Sequence, residues 1–145
     1  ADGLRNVIVE PDDVLLNITG ASVARCCMVP RSVLPARVNQ HVAIVRTDRA
    51  KADARFVCYC LVSPRYKDEL LSIAQGGATR EALTKEKIQN FEIPDVPLAT
   101  QRKIASILSA YDDLIENNTR RIAILEDMTQ AIYRSWFSNF RVPVQ

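Results

Sequence analysis

The most ordered signal in the chain is a change of hydrophobic period. From Leu98 to about Asn139 there is neither Gly nor Pro, and apolar residues recur at Leu108, Tyr111, Ile115, Ile122, Leu125, Ile132 and Trp136. The gaps alternate between three and four, the a/d rhythm of a coiled coil, with Asn118 and Thr129 as polar interruptions at two seam positions. This predicts one long helix, a rod of roughly 60 Å at the rise of an α-helix. A second stripe, Ile104, Ile107, Tyr111 and Leu114, is expected to pack the start of that helix onto whatever precedes it. Tyr133, Trp136 and Phe137 close the rod in an aromatic cluster suited to helix packing or docking.

Before Leu98 the period shortens. Val7–Val9 and Val14–Ile18 read as short β-branched strands separated by a Pro-Asp-Asp turn. The stretch from Gly20 to Pro30 reads as a turn entering another strand, and His41–Arg46 as a strand buried on both faces or nearly so. Asp53 to Ser63 is predicted helical. Ser63 and Pro64 then fit the N-cap and first position of a second helix running to Gln75, which Gly76-Gly77 stops. Thr84-Lys-Glu-Lys87 resembles a capping box in which Glu86 stands one residue early. Phe91–Ile93 reads as a short strand, and Pro94 to Pro97 as a rigid connector. The expected class is α/β (α+β): a small mixed-sheet domain over residues 1–97, followed by a long C-terminal coiled-coil helix over 98–140.

Composition narrows the function. The chain has 145 residues, room for one domain with its own core. No apolar run reaches the roughly 18 residues of a membrane span, and no signal peptide is visible. The absence of an initiator Met reads as a fragment or a trimmed beginning. Cys26-Cys27 and Cys58-x-Cys60 lack zinc-knuckle spacing, and His41 is the only histidine, so no metal site is expected. Buried, reduced thiols suit a cytoplasmic protein. Net charge is only +2, but Val14 to Thr47 contains no carboxylate while carrying Arg25, Arg31, Arg37 and Arg46. Such a stretch suits a phosphate backbone; equally, it could be a solvated face whose acidic partners lie elsewhere in the fold. On the long helix Arg102, Lys103, Arg120, Arg121 and Arg134 balance Asp112, Asp113, Glu116, Glu126 and Asp127, so its task is protein contact or spacing. There is no Gly-rich cofactor turn after a strand, no proline-aromatic motif for a flipped base and no phosphate-binding loop, and neither acidic pair has a nuclease-like setting. No catalysis and no cofactor are expected.

Five segments carry a resemblance. Gly76-Gly-Ala-Thr-Arg-Glu-Ala-Leu-Thr-Lys-Glu-Lys-Ile88, Phe91-Glu-Ile-Pro-Asp-Val-Pro-Leu-Ala-Thr-Gln101 and Gln101–Glu116 follow one another in the order found in the specificity subunits of type I restriction–modification systems. The second is similar to that family's "IPxPPLxEQ" element and the third to the start of its conserved-region helix. Upstream, Pro11-Asp-Asp-Val-Leu-Leu16 and Val38–Val45 resemble its "GDxLL" and "NQ" strands, with Asp12, Val96 and Thr100 standing where Gly, Pro and Glu are usual. The resemblance implies a non-catalytic DNA-recognition subunit that directs methyltransferase and restriction (translocase/endonuclease) subunits to a bipartite site on double-stranded DNA. Such a subunit has two target-recognition domains, each followed by a long spacer helix, and the two helices pack antiparallel. This chain matches one domain with its helix, and the resemblance implies that the beginning of the recognition domain is missing. A second copy is therefore expected to replace the absent helix, giving an antiparallel homodimer through Leu108, Tyr111, Ile115, Asn118, Ile122, Leu125, Ile132 and Trp136. Two rivals remain open: a coiled-coil adaptor without DNA readout, and the specificity component of a related type II system.

Base contacts do not carry over from a resemblance, because recognition domains differ in order to read different DNA. From the residues themselves, Arg25 and Arg37 are candidates for phosphate or guanine, and Asn17, Thr19 and Ser22 for base edges or phosphates, against a plain turn role that the same residue types favour. Thr79 and Arg80 are candidates for the DNA backbone. Asn39 and Gln40 fit bonds to the core, and His41 fits a partly buried strand residue better than a reader.

Overall fold

The computed structural model describes residues 7–76 and 82–140. Among these residues five short strands come first: β1 (Ile8–Val9), β2 (Val14–Asn17), β3 (Cys26–Met28), β4 (Ala36–Arg37) and β5 (Val42–Val45). Single 3-10 turns at Gly20–Ser22 and Arg31–Val33 lie between them. Four helices follow: α1 (Ala54–Val62), α2 (Pro64–Gln75), α3 (Lys85–Gln89) and α4 (Leu98–Tyr133). β3, β2 and β5 form a three-stranded antiparallel sheet with β2 central, and β1 pairs with β4 in a separate two-stranded sheet.

Alternation along β2 decides which side of the sheet is covered. Val14 and Leu16 are fully buried and join Val57 and Leu61 of α1, Leu70 and Ala74 of α2, and Leu83 in one core. In an antiparallel ladder, paired residues share a face. Leu16 pairs with Cys26 and Ala43, on the helix side, whereas Leu15 pairs with Cys27 and Ile44, and Asn17 with Val42, on the side the helices leave open. β5 is therefore half-buried throughout, not doubly buried, and His41 is an exposed turn residue just before it. The thiols divide in the same way. Cys26 lies 3.9 Å from Cys58 of α1, sulfur to sulfur, and the expectation of uniformly buried cysteines fails at Cys27, which is exposed. The contact with Cys58 and burial push the Cys26 thiol up, and burial does the same at Cys27 and Cys60, so these thiols are protonated and weak nucleophiles.

Asp53 caps α1 by accepting from the Phe56 amide at 3.0 Å. Ser63 takes the N-cap position of α2 with Pro64 first in the helix, but its hydroxyl donates back to the Cys60 carbonyl at 2.7 Å and closes α1 instead. Thr84 caps α3 from Lys87 N. Asp12 has φ 71°, the left-handed conformation that glycine adopts freely and aspartate tolerates, and Arg49 holds its carboxylate at 2.8 Å. Phe91–Ile93 forms no strand: no ladder partner is present among the described residues, and Phe91 packs edge-on against Tyr66 at 6.1 Å.

The chain divides into two compact units, Ala1–Ala105 and Ser106–Gln145, so the first turns of α4 belong to the first. The expected contact stripe is not what packs there. Ile104, Ile107, Tyr111 and Leu114 are exposed, and Gln101 and Ala105 are buried in their place. Ala105 packs with Phe56 and Cys60 of α1. The Gln101 amide oxygen accepts from Asp53 N at 2.9 Å, and its nitrogen donates to the carbonyls of Val96 at 2.8 Å and Lys51 at 3.4 Å. A small residue and a polar one suit a position where helix and backbone approach closely.

α4 runs for 36 residues, about 54 Å. Its seam is uncovered in the single chain: Ile115 is 63%, Ile122 57% and Leu125 60% exposed. The Thr129 hydroxyl turns back to the Leu125 carbonyl at 2.8 Å, leaving Asn118 as the seam's chief polar interruption. The helix ends in a wider turn, Arg134–Ser138, where Tyr133 and Phe137 stack at 5.2 Å. Among the described residues no helix is long and apolar enough to cross a membrane.

Candidate nucleic-acid interface

The open face of the three-stranded sheet and the loop that follows β2 collect the polar candidates. Asn17 ends β2. The chain then turns at Gly20, whose φ of 76° needs glycine's freedom, and re-enters the sheet through Arg25. Backbone bonds close this loop on itself: Asn17 N donates to the Arg25 carbonyl at 2.8 Å and Ala24 N to the Asn17 carbonyl at 2.9 Å. From the other side Ile18 N donates to the His41 carbonyl at 2.9 Å, and Leu83 N to the Ile18 carbonyl at 2.9 Å. The loop is thus held from several directions, as a reading surface must be if contacts are to discriminate.

Two adjoining clefts open here. One, of about 780 Å³, is lined by Asn17, Thr19, Gly20, Ser22, His41 and Ala82 among others. The second, of about 360 Å³, is lined by Leu15, Asn17, Arg25, Cys26, Cys27 and Val42. Asn17 belongs to both. Its amide nitrogen donates to the Ser22 hydroxyl at 2.6 Å, and its oxygen is buried without a partner among the described residues. Thr19 Oγ1 lies 2.7 Å from His41 Nδ1. Arg25 is exposed at the edge, with no ion-pair partner among the described residues.

Three of the sequence candidates, Asn17, Thr19 and Ser22, therefore meet in one cleft, with Arg25 beside them. Arg37 is exposed too, but it sits on β4 in the other sheet and lines neither cleft. Thr79 and Arg80 lie outside the described residues. Of the arginines in the carboxylate-free stretch, Arg46 is withdrawn from any ligand. It donates through Nε and Nη2 to Asp13 at 2.8 Å each, through Nη1 to Glu10 at 2.8 Å, and to the Ile8 carbonyl at 3.1 Å. Burial alone would raise the Asp13 carboxyl, but the Arg46 hydrogen bonds and charge and the Glu10 amide outweigh it and hold it below the ordinary value. Sequence reasoning missed the position of His41. Its signal, a lone imidazole just after Asn39-Gln40, is one that a turn before a strand explains equally well.

This architecture defines a small α/β unit with a rigid polar loop and an arginine at the open face of its sheet, continued by a helix with an uncovered apolar seam. Residues 5–127 match the family described as the type I restriction modification DNA specificity domain, and the chain belongs to that family. It is 35% identical over 82 residues to the type I restriction enzyme MjaIX specificity subunit of Methanocaldococcus jannaschii, covering 57% of this chain and 19% of that protein. It is 30% identical over 86 residues to the HindI specificity subunit of Haemophilus influenzae, covering 59% of this chain and 19% of that one. The fold is similar to the crystal structure of the HsdS subunit from Thermoanaerobacter tengcongensis, with a TM-score of 0.62 at 19% identity over 90% of this chain and 34% of that one. The chain thus spans about a fifth of the curated relatives and a third of the solved subunit.

Proposed function

We propose that this chain is a DNA-reading half of a type I specificity subunit, acting in the cytoplasm and without catalysis of its own. Residues 1–97 serve as the target-recognition domain and 98–140 as the spacer. The observation that carries this reading is the convergence of Asn17, Thr19, Ser22 and exposed Arg25 on one rigid loop at the open sheet face, in a chain of the specificity family. Amide and hydroxyl groups beside an exposed guanidinium are the chemistry of base-edge contact flanked by phosphate contact. Arg37, exposed on the other sheet, is proposed as a separate backbone contact.

The helix seam is proposed as the assembly surface. The exposed side chains from Leu108 to Trp136 form an apolar stripe, interrupted at Asn118 and Thr129, that water does not tolerate well. Seam-to-seam pairing with a second, antiparallel copy covers it and brings two Asn118 side chains near each other, where an amide pair fixes register. Methyltransferase subunits, and through them restriction subunits, are the further proposed partners on double-stranded DNA. A gel-shift with salt titration on the chain assembled with methyltransferase subunits tests the reading. Retention of one bipartite sequence is the expected result. Absence of DNA binding at any salt concentration overturns it in favour of a coiled-coil adaptor.

A further inference from the structure

We infer that His41 determines the identity of one base pair in the recognised sequence, with Thr19 as its positioning residue; this rests on the DNA-reading proposal above. The main chain of His41 is pinned on both sides: its amide donates to Asn39 Oδ1 at 3.0 Å, and its carbonyl accepts from Ile18 N at 2.9 Å. The ring is pinned as well, through Nδ1 to Thr19 Oγ1 at 2.7 Å. The residue is nevertheless exposed and lines the larger cleft. Folding has thus fixed the ring's position and engaged one nitrogen, leaving Nε2 without a hydrogen-bond partner among the described residues.

The bond at Nδ1 sets the role of Nε2. If the Thr19 hydroxyl donates, Nε2 carries the proton and is a donor for guanine O6 or a purine N7. If Nδ1 donates to the hydroxyl, Nε2 is an acceptor for the amino group of adenine or cytosine. In each state the ring offers a single directional role, and a fixed direction is what distinguishes one base edge from another. A mobile exposed histidine would carry no such preference. Thr19 and His41 come from different sides of the cleft, the β2 loop and the turn before β5, so their bond also joins the two segments that border it.

The experiment is selection from a randomised DNA library by the full chain assembled with methyltransferase subunits, comparing wild type with His41→Ala, Thr19→Val and Glu69→Gln. His41→Ala is expected to relax preference at one position of the motif by about 5- to 100-fold, the discrimination of a single good base contact, with the other positions unchanged. Thr19→Val keeps the imidazole but frees it, and is expected to relax the same position. Glu69→Gln, exposed on α2 and outside both clefts, leaves that position unchanged. Because His41 is exposed, thermal melting of His41→Ala is expected to match wild type, and the library is read only on protein that melts normally. A His41→Ala motif identical to wild type overturns this inference and leaves the DNA-reading proposal standing. So does a uniform loss of binding across all positions, the mark of a phosphate contact. A wild-type assembly that selects no motif overturns the DNA-reading proposal, and this inference with it.

Discussion

Removing Arg46 should strand a buried charge. Asp13 is 2% exposed in its side chain, and Arg46, 45% exposed, supplies two of its three hydrogen bonds; the Glu10 amide supplies the third. Truncating one partner of a buried pair costs about 3–5 kcal/mol. Here the guanidinium is nearly half in water, so screening reduces the expected loss for Arg46→Met to about 2–3 kcal/mol. Asp13→Asn strands no charge: the amide oxygen keeps its bond from Glu10 N and Arg46 still has Glu10 and solvent, but the amide NH2 then faces an Arg46 donor and has no acceptor there, so the loss should be about 1–3 kcal/mol. The double variant should be more stable than Arg46→Met, because the stranded carboxylate is gone. Acidity gives an independent reading. In wild type the Asp13 carboxyl is held below its ordinary 3.8, so its contribution is complete above that value and is lost as pH falls through the folded one. In Arg46→Met the lowering partner is absent and burial raises the carboxyl instead. Protonation then accompanies folding, and the deficit relative to wild type should shrink on acidification. Urea denaturation at neutral and mildly acidic pH measures all of this. A deficit that does not change with pH, or a double variant no more stable than Arg46→Met, would refute the assignment of Asp13 as the stranded group.

The remaining expectations concern the reader, the joint and the rod. Arg25→Ala and Arg37→Ala should weaken DNA binding by the assembled methyltransferase by about 1–3 kcal/mol where the arginine reads a base, and less where it touches phosphate. Unchanged affinity and salt slope in both would remove the carboxylate-free stretch from the interface. Gln101→Leu leaves the half-buried Asp53 N and Val96 O without their partner and should cost about 1–3 kcal/mol in a urea titration. Ile115→Asp or Ile122→Asp should dissociate a dimer seen by light scattering; a wild-type monomer at tens of micromolar would assign the seam to methyltransferase subunits instead. The purified chain should transfer no methyl group and cut no DNA. Activity abolished by mutating one of the chain's own residues would overturn that.

Much of the fold was legible because local chemistry agreed with it. β2 is announced by the apolar run Val14-Leu15-Leu16 behind a Pro-Asp-Asp turn, α1 and α2 by Asp53 and Ser63-Pro64, and α4 by a Gly- and Pro-free stretch with a sustained seam. The failures share a cause: each depended on what a residue meets across space. Phe91–Ile93 has the side chains of a strand but no neighbouring edge to bond. Ile104 and Ile107 look like core and face water, whereas Gln101 looks like surface and is buried, because three backbone groups await its amide. Arg46 stands in the same one-signed stretch as Arg25, yet Glu10 and Asp13, just upstream of that stretch, fold back onto it. Asn17, Thr19 and Ser22 were visible as a group because they are close in sequence. His41 reaches Thr19 from 22 positions away, which only the pairing of β2 with β5 brings about.

The buried amide of Gln101 has a consequence for how such a protein can change. Each of its three hydrogen bonds ends on a main-chain atom, Asp53 N, Val96 O or Lys51 O. The helix therefore recognises the path of the chain at those points and is indifferent to which side chains hang from it. The polar side chains of the loop that carries the cleft, Thr19 and Ser22 among them, can be exchanged while the glutamine continues to find the same three partners. Attachment of the helix and the chemistry of the cleft are in this sense written in different alphabets, so that one can be revised without retyping the other.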